Sequence, residues 1–183
     1  MHISVYFGEF IPVKQITYLE CEKILQMADL PEKVRQHSRA VADLAASIAE
    51  ALCKSGHLVD VELCRRGGLL HDICRTGEMH DIKGGDYLEK IGLEKEADIT
   101  RTHMGRGLIS GDSGEISENE VVYLADKLVM GSKRVSIDER FETAVKKYGI
   151  NPEAEAAISE KYAQALHIRD KVEALIKKKL SDI

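Results

Sequence analysis

Apolar residues recur at helical spacing from Pro31 to Cys53, where Val34, Val41, Leu44, Ala45, Ile48 and Leu52 form one stripe. The pattern predicts a helix with that stripe turned toward a core. Pro31 suits the first helical turn, and Glu32 complements the positive end of the helix dipole. His37 falls within the stripe, between Val34 and Val41, so its imidazole is expected to point inward. A second helix is expected after Asp60, which can cap it, with Glu62 in its first turn. Val61, Cys64, Gly68 and His71 share its inward face. Gly67 and Gly68 should weaken a helix by about 1 kcal/mol each. Close approach of two helices would offset that cost and bring His71 near the helix of His37.

Arg75 to Gly85 is rich in turn residues and reads as a loop carrying His80. A short helix follows over Asp86 to Ile91, closed by Gly92, and another over Glu94 to His103. Gly105, Gly107, Gly111 and Gly114 mark an irregular, exposed stretch. Ser117-Glu-Asn-Glu120 and Ser136-Ile-Asp-Glu139 both read as capping boxes. Asn151-Pro152 supplies a cap followed by proline at the first helical position. These signals predict helices over 118–130, 137–148 and 152–179. Only residues near 3–11 look strand-like, so the fold class is all-α.

A chain of 183 residues fits one domain and can bury a sizeable core. No stretch of about 18 apolar residues occurs, so no membrane span is expected. The first residues lack a basic segment and include Glu9, which argues against a signal peptide. A net charge of −5 argues against a stable nucleic-acid complex, while leaving room for a local basic pocket. Cys21, Cys53, Cys64 and Cys74 form no Cys-x-x-Cys pair and read as reduced, mostly core thiols of a cytoplasmic protein. Cys74 is close enough in sequence to His71-Asp72 to line the same site. Nothing in the sequence sets an oligomeric state.

The chemistry lies in His37, the adjacent pair His71-Asp72, His80, His103 and Asp126. A lone histidine on an apolar helix face is more often a hydrogen-bonded core residue, so only the set together points to metal. Imidazoles and carboxylates together suit Fe, Mn, Co, Ni or Zn. Asp126 shares an apolar face with Val122 and Val129, and an unpaired buried carboxylate is costly. Lys127, next in sequence, should point about 100° away on a helix. A metal held with His37, His71 and Asp72 would meet the need.

This order resembles the HD superfamily of metal-dependent phosphohydrolases. The resemblance rests on Val34-Arg-Gln-His37-Ser-Arg, Gly68-Leu-Leu-His71-Asp72-Ile-Cys-Arg75, His80, Thr102-His103-Met-Gly105 and Leu124-Ala-Asp126-Lys127. Within the superfamily the chain is most similar to compact stand-alone bacterial proteins, among them the diadenosine tetraphosphate hydrolases. It lacks the extended Gly-Tyr-Pro signature of the cyclic-di-GMP phosphodiesterases. The resemblance implies an HD helical bundle over residues 31–183, with residues 1–30 as an extension packed on it. It implies two divalent transition-metal ions, first Fe, Mn or Co, with Ni or Zn also fitting. His37, His71, Asp72 and Asp126 would hold one ion, and His80 and His103 the second, with Asp72 as the bridge. Asp72, Arg75 and Lys127 would be catalytic. Arg75, Lys83, Arg106, Lys127 and Arg134 would bind a small phosphorylated substrate, in the first place a nucleotide. Two rival readings share the ligand set. One is an HD-type diiron oxygenase, and the other is a nucleotide-sensing module with a structural metal.

Overall fold

The computed structural model describes residues 16–108 and 114–183, and the strand-like stretch at 3–11 lies outside them. The described chain forms helices α1 (Tyr18–Met27), α2 (Glu32–Lys54), α3 (Val61–Leu70), α4 (His80–Lys90), α5 (Glu94–Thr102), α6 (Glu118–Lys127), α7 (Ile137–Tyr148) and α8 (Pro152–Ile176). Between α6 and α7 runs a small antiparallel hairpin, β1 (Val129–Met130) and β2 (Lys133–Arg134), turned at Gly131. The fold is an all-α bundle with that minor hairpin. Among the described residues no helix is long and apolar enough to cross a membrane.

The caps read from sequence start the helices they predict. Asp60 accepts from the Leu63 amide, Ser117 forms a complete box with Glu120, and Asn151 accepts from the Ala154 amide. Ser136 accepts from the Glu139 amide. One additional helix and three boundaries differ from expectation. Helix α1 was not anticipated, although Thr17 and Glu20 make the same reciprocal box, and Cys21 and Leu25 bury one face a turn apart. Helix α4 begins at His80 itself, so the expected loop is shorter. Its preceding residue, Met79, takes the left-handed conformation without a side-chain cap, which leaves no local signal of the start. Helix α6 ends at Lys127 rather than continuing to 130, because the hairpin takes over there. Helix α8 stops at Ile176, where Lys177 turns left-handed, and a 3₁₀ turn follows at Leu180–Asp182.

The core falls into two apolar clusters. One joins α2, α3, α6 and α8 through residues such as Ile48, Leu52, Val122, Leu124 and Ile168. The other joins α1, α4 and the ends of α3 and α5 through Leu25, Leu69, Leu70, Leu88 and Ala97. Of the thiols expected to lie mostly in the core, Cys21 and Cys64 are buried, Cys74 is partly buried against the second cluster and Cys53 is exposed. A buried ion pair, Arg66 Nε to Glu96 at 2.7 Å, ties α3 to α5.

The glycine pair in α3 does what its cost requires. A Cβ on Gly68 would lie 2.8 Å from Ala42 Cα and 3.0 Å from its nitrogen, so α2 and α3 touch backbone to backbone. Helix α4 repeats the device against α5, where a Cβ on Gly84 would meet Thr100 Cγ2 at 2.9 Å.

Gly68→Ala is therefore expected to lose about 1–3 kcal/mol of stability, because backbone cannot yield as a side chain does. Gly77→Ala, with open space at its Cβ, should change little. Urea denaturation of the two variants checks the contrast, and equal midpoints would refute the close-contact account.

Candidate metal centre

Helix ends bring the ligands together. His37 projects from the body of α2, His71 caps the end of α3, and Asp72 follows it in the turn. His80 opens α4, His103 caps the end of α5, and Asp126 lies in the last turn of α6. Three rings are oriented by backbone carbonyls. His71 Nδ1 donates to Gly68 O at 2.7 Å and His103 Nδ1 to Thr100 O at 2.5 Å. Both carbonyls belong to the last turn of a helix, where no amide follows to bond them. His37 Nδ1 donates to Gly131 O, in the hairpin turn, at 2.9 Å. A carbonyl can only accept, so each of these Nδ1 atoms carries a proton, and in the neutral ring Nε2 then keeps its lone pair. Such an outer hydrogen bond is how metal-binding imidazoles are usually held.

The Nε2 atoms face acceptors. His37 Nε2 is 3.0 Å from Asp126 Oδ1, and His71 Nε2 is 3.3 Å from Asp72 Oδ2 and 3.7 Å from Asp126 Oδ1. The other Asp72 oxygen, Oδ1, is 3.4 Å from His80 Nε2 and 3.5 Å from His103 Nε2. Those two nitrogens are 3.3 Å apart. Lone pairs pointed at lone pairs need a proton or a cation between them. His71 Nε2 and Asp72 Oδ1 are buried with no hydrogen-bond partner among the described residues. The ligand atoms form two groups, His37-His71-Asp72 and Asp72-His80-His103, sharing the Asp72 carboxylate. This donor set fits a binuclear metal site, and Asp126 Oδ1 lies 3.0 Å from His37 Nε2 beside the first group.

The electrostatics suit cation binding. Burial would raise the Asp72 pKa, but His71, His103 and His80 outweigh it and hold the carboxyl well below its ordinary value. For Asp126, burial is likewise outweighed by Lys127, His37 and His71. Burial depresses the His103 pKa and so favours the neutral, ligating ring. His71 is raised, because Asp72 and Asp126 outweigh its burial.

The basic residues divide. Arg75 Nη1 bonds Asp72 Oδ2 at 2.5 Å, with 43% of its side chain exposed. Arg106 is largely exposed, with Nε 3.7 Å from Asp81 Oδ2. Lys83 is exposed on α4, one turn past His80. Lys127 corrects a sequence expectation. Its long side chain folds back, so that buried Nζ pairs with Asp126 Oδ2 at 2.6 Å and donates to His103 O at 3.0 Å. It also lies over the Tyr123 ring, 4.6 Å from the centroid. Arg134 is not at the site, because its guanidinium donates to the Leu180 and Ile183 carbonyls of the C-terminal turn.

Two elements contribute groups that sequence reading missed. Arg140 of α7 reaches Asp126 Oδ1 at 3.9 Å. Lys161 and Gln164 of α8 join Met79, His80, Asp81 and Arg106 around a 490 Å³ cavity beside the second ligand group. No local motif announces either, because the approach of α7 and α8 is tertiary.

The HD-domain family profile matches residues 34–131, a segment that contains all six candidate ligands and excludes α7 and α8. The chain is 36% identical over 150 residues to an uncharacterised protein of Methanocaldococcus jannaschii, covering 73% of this chain and 89% of that protein. It is 29% identical over 150 residues to a tRNA (cytidine(56)-2'-O)-methyltransferase of Thermoplasma volcanium, covering 74% of this chain but only 43% of that protein. No solved structure matches the chain significantly.

The shared carboxylate sets the expected stoichiometry. Elemental analysis of saturated protein should approach two ions per chain, one for each ligand group. His80→Ala should lose chiefly one ion, whereas Asp72→Ala should lose both. Saturation of the unmodified protein at a single ion would reject the binuclear site.

Proposed function

The chain belongs to the HD-domain family, and from that premise we propose that it is a metal-dependent phosphohydrolase acting on a nucleotide or other small phosphorylated metabolite. The observation that carries the reading is the Asp72 carboxylate, whose two oxygens face two separate sets of imidazole nitrogens. Two divalent ions bound there would supply an activated water and Lewis-acid polarisation of the phosphoryl group. The sequence resemblance favours Fe, Mn or Co. Residues 31–183 are taken as the working unit.

The chain's own residues have distinct tasks in this reading. The three carbonyl-anchored histidines present fixed Nε2 lone pairs, so little reorganisation accompanies ligand binding. Arg75 stands half-exposed against the shared carboxylate, so an arriving phosphate meets its guanidinium at the rim. Its planar fork can bind two phosphoryl oxygens and offset charge that develops on them. Lys127, already engaged with Asp126 and His103 O, is assigned a positioning task. The rest of the substrate would occupy the cavity beside His80, where Arg106 and Lys161 offer cations and Gln164 an amide. Its volume lies within the range common for small-molecule sites. The resemblance to diadenosine tetraphosphate hydrolases makes dinucleoside polyphosphates the first substrates to try.

Hydrolysis in isotopically labelled water should place the label in a phosphate-containing product, with no oxygen requirement. Oxygen-dependent carbon oxidation without phosphate release would decide for the diiron oxygenase reading instead. Arg75→Ala should keep its metal while kcat/KM falls by about 10²-fold, as on loss of a preorganised anion contact. Unchanged kinetics in the folded, metallated variant would remove Arg75 from the mechanism.

A further inference from the structure

Two guanidinium groups converge on the first ligand group from unrelated parts of the chain. Arg75, in the turn after α3, touches Asp72 Oδ2, the oxygen that faces His71. Arg140, in the first turn of α7, lies 3.9 Å from Asp126 Oδ1, the oxygen that faces His37 and His71. The Arg140 side chain is only 26% exposed. Among the described residues its guanidinium forms that single long ion pair and no hydrogen bond. A mostly buried planar fork of donors is thus aimed at the site without a hydrogen-bond acceptor. Asp126 does not need it, because Lys127 already sits 2.6 Å from the other oxygen. Placing a second cation near Asp126 also costs something, since Arg140 and Lys127 repel and Arg140 contributes to lowering the Lys127 pKa. Unused donors held against charge repulsion suggest an anion that arrives from outside.

We propose that Arg140 is a second phosphate-anchoring residue, which with Arg75 forms a guanidinium pair that grips one tetrahedral phosphoryl group over the His37-His71-Asp72-Asp126 ligands. The inference rests on the phosphohydrolase reading and deepens it, because it assigns the anchor to a helix outside the family-matched segment. Helix α7 is then part of the substrate site. A phosphoryl group has enough non-bridging oxygens to accept from both forks at once. The neighbouring cations strengthen the case for an anion. Arg75 and Lys127 flank the same two carboxylates, and any metal held there would add further positive charge.

The test is calorimetric binding of inorganic phosphate to metal-saturated protein, with metal content checked in every sample. Arg140→Ala should keep its metal and melting temperature and weaken phosphate binding on the order of 10- to 100-fold, as for loss of a hydrogen bond to a charged group. Arg140→Lys should recover part of the affinity, since it restores the charge but not the fork. Free guanidinium ion should partly rescue the alanine variant. Lys146→Ala, which removes the same charge from an exposed position on α7, should bind phosphate normally. With a substrate, Arg140→Ala should raise KM more than it lowers kcat. Unchanged phosphate affinity in fully metallated Arg140→Ala would overturn the proposal. So would a loss that merely tracks lost metal, because that would make Arg140 a prop for Asp126. Arg140-dependent phosphate binding without hydrolysis of any phosphoester would uphold the anchor and defeat the phosphohydrolase reading.

Discussion

A carboxylate with no exposure to water lies among four imidazole rings at Asp72, and the architecture around it serves that arrangement. Burying an anion is costly unless it is paired and bonded. Here the pairing is divided, with one oxygen toward each group of nitrogens. Carbonyls hold the Nδ1 protons of His37, His71 and His103, so in the neutral rings Nε2 has no proton to give the carboxylate. A cation between ring and carboxylate resolves the facing lone pairs. The shape of the site is thus a consequence of where three backbone carbonyls point.

Two of those carbonyls are placed by helix termination and the third, Gly131 O, by the hairpin turn. Helices α3 and α5 each end with a histidine that turns back onto the carbonyl three residues earlier. The same local device appears twice and supplies one ligand to each metal group. Gly68 lets α3 press on Ala42 of α2, which fixes the distance between His37 and His71. Their ring centroids are 5.3 Å apart, and those of His71 and His103 are 5.1 Å apart. A bulkier residue at Gly68 or Gly84 would push on the facing helix and shift a candidate ligand with it.

Charge around the centre is layered. Lys127 is wholly internal and serves Asp126 and the His103 carbonyl, which links the last ligand of one group to the backbone of the other. Arg75 and Arg140 lie further out and keep donors to spare. Beyond them, α8 and the loop at 104–106 wall the cavity beside His80. The ligand core lies inside the family-matched segment, whereas Arg140 and the α8 residues come from outside it. The candidate metal ligands thus share one stretch of chain, while the cations around them come from both inside and outside it.

The local features were legible from sequence because they depend on neighbours along the chain. The apolar stripe of α2, the caps at Asp60, Ser117 and Asn151, and the inward placement of His37 and Asp126 follow from spacing alone. Spacing also brings His71 toward the helix of His37, whereas the grouping with Asp72 is what the family resemblance implies. Other features depended on contacts between distant residues. Helix α4 starts without a cap, so its packing on α5 decides where it begins. Lys127 folds back on Asp126, which angular spacing on a helix does not foretell because a long side chain can reverse. Arg134 is claimed by the C-terminal turn, and Arg140 is delivered by the docking of α7. Sequence determined which residues could bind metal, since chemistry and periodicity are local properties. The tertiary structure decided which cations keep spare donors beside the site, since that depends on which acceptors the folded chain brings within reach.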